Sequence, residues 1–179
     1  IVRDLRMFSR GSDDKRELVD VEALLELTIR LAEHEIRHRA RLVRQYSSVP
    51  PVLADESRLG QVFLNLLVNA AQAMPAGSVD SNTIRVTTVL DAKQRVQIHI
   101  SDTGPGIPPE IQDRLFTPFS TTKPASEGTG LGLSICQRII RSLGGEISFE
   151  TAVGRGTEFR VTLPQATPQK QETPQPSSV

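Results

Sequence analysis

Four side-chain amides, Gln61, Asn65, Asn69 and Gln72, follow one another at spacings of four, four and three residues, so on a helix they share one stripe. Asparagine competes for backbone hydrogen bonds, and two of them in mid-helix carry a local cost that something must offset. The stripe is either a solvated polar face or a set of amide oxygens for Mg²⁺, a hard cation that takes carbonyl oxygen while keeping waters and phosphate oxygens. Further on, Asp102-Thr-Gly104-Pro-Gly106 sets an acid ahead of two glycines. It is either a plain turn whose aspartate caps the next helix, or a carboxylate accepting from the exocyclic amine of adenine while glycines let the backbone close on the base. Gly128-Thr-Gly130-Leu-Gly132 then opens a helix, whose free N–H groups and positive dipole end suit a phosphate, although glycines also make hinges. Lys123, just before this run, is a point charge for phosphates or an ordinary surface lysine. Taken in order, an amide helix, an acid with glycines and a glycine-opened helix point to a nucleotide site.

The elements that must position these groups can be read from periodicity. From Asp55, a suitable N-cap, apolar residues Leu59, Val62, Phe63, Leu66, Leu67 and Ala70 recur at helical spacing to about Met74, where Pro75-Ala-Gly stops the helix. Segments 83–90 and 96–101 alternate apolar and polar residues around Asp91-Ala-Lys-Gln-Arg, which predicts neighbouring antiparallel strands, the second ending at Asp102. Pro108 begins a short helix to about Phe116, segment 117–128 reads as a mobile loop, and 130–143 as a helix capped by Gly144-Gly145. Segments 146–151 and 157–163 make a last strand pair. Upstream, 18–21 is a short strand candidate, a long amphipathic helix carries Val21, Leu24, Leu25, Thr28, Leu31 and Ala32, 41–47 is a second strand, and Val49-Pro-Pro-Val is a connection. Residues 1–10 read as the end of a helix, and the Pro, Gln, Ser and Thr composition after Pro164 predicts a disordered tail or linker over 165–179.

Composition narrows the function. The chain has 179 residues, 37% of them hydrophobic, enough for one globular domain with a sizeable core. Lys plus Arg (21) equals Asp plus Glu (21), so no basic field draws in nucleic acid or an anionic membrane. No apolar run reaches the roughly 20 residues of a bilayer span and no secretory signal pattern opens the chain, so a cytoplasmic domain without membrane contact of its own is expected. The single Cys136, in an apolar stretch, is expected to be a buried inert thiol, which suits a reducing compartment.

The series Asn65-xxx-Asn69-Ala, Asp102-x-Gly-x-Gly106, Phe116-Thr-Pro-Phe119, Gly128-x-Gly-x-Gly132 and Gly154-x-Gly-Thr157-x-Phe159 resembles, in order and spacing, the N box, first glycine box, F box, second glycine box and third glycine box of sensor histidine kinases. The resemblance covers about residues 17–163. It implies the Bergerat ATP-binding fold shared with gyrase, Hsp90 and mismatch-repair ATPases, an α+β two-layer sandwich in which a mixed sheet carries helices on one face. The domain would run over 13–164, and residues 1–12 resemble the end of the second helix of a dimerisation hairpin plus linker, in the style of nitrogen-regulation-type kinases.

Position by position, the resemblance makes Asn69 the Mg²⁺ ligand, Asp102 the adenine reader and Thr157 its helper in the water network at the base. Gly104, Gly106 and Ile107 shape the pocket. Phe116 and Phe119 anchor a lid, while Thr122, Lys123 and the run Gly128, Thr129, Gly130, Leu131 and Gly132 hold the phosphates, with Gln72 where some relatives have a phosphate-contacting lysine. Ala73 stands where some have an aromatic residue against adenine, so modest ATP affinity is implied. At Asn65 the family's hydrolases resemble one another in having a glutamate that activates water. An amide takes no proton at neutral pH, so Asn65 and Lys123 would serve phosphoryl transfer rather than hydrolysis.

The resemblance therefore implies ATP and Mg²⁺ as cofactors, a histidine on a separate dimerisation hairpin as phosphoryl acceptor, and a response regulator as partner, with the fragment itself monomeric. His34-Glu-Ile-Arg is not that acceptor box: Arg39 stands where the box has proline, and His34 lies too close to the N box. His38 and His99 have no better claim. Two other readings share the boxes: a serine kinase of the anti-sigma-factor type, against which the hairpin-like N-terminus argues, and a non-enzymatic module that reports ATP occupancy.

Overall fold

The computed structural model describes residues 16–120 and 130–166. The expected hairpin end at 1–12, most of the loop at 117–128 and most of the tail lie outside them. The order of elements is β1 (Glu17–Val19), α1 (Val21–Ile36), β2 (Arg41–Tyr46), β3 (Val52–Ala54), α2 (Glu56–Ala73), β4 (Thr83–Leu90), β5 (Arg95–Asp102), α3 (Pro109–Gln112), α4 (Gly132–Ser142), β6 (Glu146–Ala152) and β7 (Gly156–Pro164).

Both long helices start on an aspartate that satisfies an otherwise orphaned donor: the Ala23 N–H donates to Asp20 Oδ1 at 3.0 Å, and the Arg58 N–H to Asp55 Oδ1 at 2.9 Å. α2 ends because Met74 precedes proline and turns to extended backbone (φ −104°, ψ 142°), as steric conflict with the proline ring requires. Its carbonyl is taken up by Arg39 Nη1 at 2.9 Å.

Strands stand in the order β2-β4-β5-β7-β6, with β2 parallel to β4 and every other pair antiparallel, so the sheet is mixed. Alternation gives it two unlike faces. Ile84, Val86, Val96, Ile98, Ile100, Val161 and Leu163 are all at most 1% exposed and face the helices, where Phe63, Leu59 and Leu67 of α2 are fully buried. Arg85, Gln97, His99, Ser101, Glu158 and Arg160 occupy the opposite register and leave that face polar. Among the described residues no helix is long and apolar enough to cross a membrane.

Segment 49–52 differs from its reading as pure connection: Val52–Ala54 pairs antiparallel with β1, Val19 opposite Val52. The prolines sit just before this three-residue edge strand, where a missing donor costs no ladder bond.

Candidate functional site

Asp102 is the end of the core-facing row of β5. Period-two alternation after Val96, Ile98 and Ile100 turns its side chain to the helix side, between Ile84 of β4 and Thr157 of β7. It is 8% exposed, and Oδ1 accepts the Gly104 N–H at 2.8 Å. Burial raises the carboxyl above its ordinary value, while the backbone N–H groups of Gly104 and Thr157, both donating to the carboxylate, oppose that rise.

The glycines around it are spatial necessities. A Cβ on Gly104 would lie 2.8 Å from Asp102 Oδ1 and 3.4 Å from the Ala73 Cβ, so the end of α2 forms one wall of this pocket. Gly106 has φ +74°, and a Cβ there would strike the Ala152 carbonyl oxygen, so the glycine turn is pressed against the β6–β7 hairpin. Thr151, which sequence reasoning missed, joins the two: its hydroxyl accepts the Ile107 N–H at 2.9 Å and donates to the Gly156 oxygen at 3.1 Å. With that proton committed, the 3.0 Å contact between Thr151 Oγ1 and Thr157 Oγ1 makes Thr157 the donor, and the remaining lone pairs of Thr157 are acceptors. In sequence Thr151 is an ordinary strand threonine, so no signal could have singled it out.

Asn65 lies two turns back along α2, about 12 Å from Ala73 at 1.5 Å per residue. It faces the opening of α4: a Cβ on Gly132 would lie 2.4 Å from Asn65 Oδ1, so the last glycine of the run leaves room for the amide. Asn65 Nδ2 donates to Cys136 Sγ at 3.3 Å. Cys136 is 1% exposed, as expected, and burial pushes its thiol up to about 12 against the opposing Asn65 hydrogen bond, so it stays protonated. Asn69 and Gln72 are half-buried further along α2. Among the described residues no side chain caps α4, and its N-terminal turn suits an anion. Gly130 and Leu131 adjoin that turn, whereas Thr122, Lys123, Gly128 and Thr129 lie outside the described residues.

Metal fit follows from the donor set. Among the described residues no group of three or more His, Cys, Asp or Glu side chains could cage an ion. The Asn69 and Asn65 amides are neutral oxygen donors, too few for a cage and suited to an ion that keeps waters and phosphate oxygens, which fits Mg²⁺.

The F box corrects one expectation. Phe116 packs its ring 5.9 Å from Phe149, which lies 6.1 Å from Phe159, so this phenylalanine is anchored in the sheet. Phe119 is 76% exposed, so its ring packs little against the described residues. Its backbone makes the contact instead, with the Phe119 N–H donating to the Gly130 oxygen at 2.9 Å. The physical reason is its positive φ of 65°, which turns the ring outward. The histidines sit as expected: His34 packs against His38 with ring centroids 6.1 Å apart, and His99, on the polar sheet face, meets Glu158 at 3.0 Å.

A concavity of about 510 Å³ is lined by Arg85, Ser101, Glu150 and Glu158 of the polar sheet face and also by Asp102, Thr151 and Thr157 of the site. Alternation along β5 turns the Asp102 carboxylate to the helix side, away from the Arg85, Ser101 and Glu158 side chains.

Known proteins resemble this chain over most of its length. The family model for histidine kinase-, DNA gyrase B- and HSP90-like ATPases matches residues 54–167. Sensor kinase CckA of Brucella abortus (strain 2308) is 35% identical over 181 residues, covering 95% of this chain and 19% of its own. Sensory histidine kinase/phosphatase NtrB of Vibrio alginolyticus is 35% identical over 167 residues, covering 89% of this chain and 47% of its own. The chain thus spans less than half the length of these curated relatives. The nucleotide-free catalytic domain of histidine kinase ThkA superposes with a TM-score of 0.73 at 32% identity, over 84% of this chain and 96% of that one. Full-length ShkA in complex with AMPPNP gives 0.73 at 30% identity, over 93% and 35%. ThkA in complex with response regulator TrrA gives 0.70 at 29% identity, over 95% and 47%.

Proposed function

This chain belongs to the family of histidine kinase-, DNA gyrase B- and HSP90-like ATPases, in which it is the ATP-binding catalytic domain of a sensor histidine kinase, and we propose that it transfers the ATP γ-phosphoryl group to a histidine on a separate dimerisation hairpin. One observation carries the reading: the C-terminal end and the middle of α2 border chemically distinct groups. At its C-terminal end lies a buried carboxylate, walled by Gly104 and Ala73; two turns earlier an amide, not an acid, faces the opening of α4.

Asp102 has acceptor capacity left for the exocyclic amine of adenine after the two backbone donors are served. Phosphates reaching from there towards α4 would meet its first-turn N–H groups and dipole, which favour their charge. Bound Mg²⁺ supplies charge neutralisation at the phosphate oxygens, and Asn69 would hold it. Asn65 cannot deprotonate a water, so the site aligns a donor rather than making a hydroxide. Phosphoryl transfer requires little else from the protein. Lys123 adds a positive charge on the phosphate side in this reading.

The complex of histidine kinase ThkA with response regulator protein TrrA supports a response regulator as the next acceptor here. Dependence on ATP and a buried reduced Cys136 support a cytoplasmic location, compatible with a full-length protein anchored in a membrane. The test is reconstitution: with Mg²⁺ and γ-labelled ATP, this chain should not label itself stably but should form an acid-labile phosphohistidine on a separately supplied hairpin. Acid-stable label on a serine, or no transfer despite tight ATP binding, would defeat the proposal.

A further inference from the structure

Asn65 makes two contacts that the proposed reaction does not by itself explain. Nδ2 donates to Cys136 Sγ at 3.3 Å across the α2–α4 interface, and Oδ1 occupies the space that a Cβ on Gly132 would need. An asparagine amide is nearly symmetric in shape, so packing alone hardly distinguishes it from its flipped form; hydrogen bonding must decide. Cys136 supplies the asymmetry. Its Sγ lies 4.0 Å from the Val62 carbonyl oxygen on α2, which lets the S–H donate there and leave a sulfur lone pair towards Asn65. With the S–H on Val62, Nδ2–H meets that lone pair; the flipped amide would require the thiol to leave Val62 and turn its S–H to Oδ1.

We propose that Cys136 is the positioning residue for Asn65: its buried sulfur accepts the Nδ2–H and so aims Oδ1 at the phosphate end of the site, presenting an acceptor to the hydrated cation. This rests on the nucleotide reading above and deepens it. Without the sulfur, phosphate oxygens arriving at α4 would draw the amide NH₂ round to donate to them, and the oxygen would leave the metal side. The amide would still bind nucleotide, but as a phosphate donor. Cys136 thereby sets how far ATP binding depends on the metal, which no packing role would do.

The variant Cys136→Val fills the core without accepting a hydrogen bond, and Cys136→Ser keeps a donor and an acceptor. Calorimetry on the full 179-residue chain, with ATP in Mg²⁺ and in EDTA, reads the result. For Cys136→Val we expect roughly three- to tenfold weaker binding in Mg²⁺, the range of one ordinary hydrogen bond, with binding in EDTA within twofold of wild type. Cys136→Ser should keep Mg²⁺ affinity within twofold. In the nucleotide-free protein, the Asn65 side-chain NH₂ pair in ¹⁵N spectra should lose its protection from hydrogen exchange in Cys136→Val and keep it in Cys136→Ser. Adding Cys136→Val to Asn65→Ala should change nothing further. Equal losses in Mg²⁺ and EDTA, an undiminished effect in the Asn65→Ala background, or no effect of Cys136→Val while Asn65→Ala weakens binding would each overturn the positioning role and leave the site standing. If Asn65→Ala itself binds Mg²⁺ and ATP as wild type, Asn65 is not in the site and both readings fall.

Discussion

Replacing Asp102 by asparagine should separate binding from stability, with opposite signs. The carboxylate is 8% exposed and accepts from two backbone N–H groups, those of Gly104 and Thr157. An amide in the same place can turn its one oxygen to both backbone N–H groups, and its NH₂ then faces the adenine amine, donor against donor. Losing a hydrogen bond to a charged acceptor costs about 1.5–3 kcal/mol, and an unpaired buried donor about 1–3 kcal/mol more. At about 1.4 kcal/mol per decade, ATP affinity should fall by about 100-fold or more. Stability goes the other way. Burial holds the Asp102 carboxyl above its unfolded value, so the folded chain binds that proton more tightly. The stabilisation this group contributes is complete below the unfolded value of about 3.9 and is lost as pH rises through the folded value, which makes the charged form a burden at neutral pH. Asp102→Asn removes that burden. Its Tm should equal or exceed wild type at pH 7, and the difference should shrink towards pH 4. Calorimetric titration with ATP, alongside thermal unfolding from pH 4 to 8, measures both. A dissociation constant within threefold of wild type, in a protein that unfolds normally, would refute the adenine assignment; a Tm loss growing towards pH 7 would refute the electrostatic argument.

Gly132→Ala forces the Asn65 amide away, since a Cβ would lie 2.4 Å from Oδ1. Because only a side-chain end must move and alanine favours the helix by about 0.5–1 kcal/mol, we expect unchanged or raised Tm with at least tenfold weaker Mg²⁺-dependent ATP binding in calorimetry. Ala73→Tyr places a ring beside the pocket wall that Gly104 faces, and base–aromatic stacking is worth about 1–3 kcal/mol, so fluorescence titration should show ATP binding tighter by about five- to a hundredfold. In the reconstituted transfer assay, His34→Gln should label the hairpin at the wild-type rate, because His34 is engaged with His38 and Arg37 at the far end of α1.

What the sequence determined by itself was whatever depends on near neighbours along the chain. Helical spacing from Leu59 to Ala70, the Asp55 cap and the stop at Met74-Pro75 are decided within a few residues, because capping and proline sterics act over one turn. Strand alternation likewise carries Asp102 to the core side of β5 before any partner strand is known. The amide, acid and glycine types were legible as a nucleotide site for the same reason, since each type has a limited chemistry. What only the tertiary structure decided were contacts between elements far apart in sequence. Val52–Ala54 is a strand because β1 is there to pair with it. Phe116 is anchored by Phe149, while Phe119 turns away on a left-handed backbone that its residue type does not announce. Gly132 leaves room for Asn65, on another helix, whose amide fills the space of its Cβ, and Cys136 meets that same amide across 71 positions of chain. Hydrogen bonds and close packing extend a few ångströms in space and have no range in sequence, so the partners of a side chain appear only when the helices are docked.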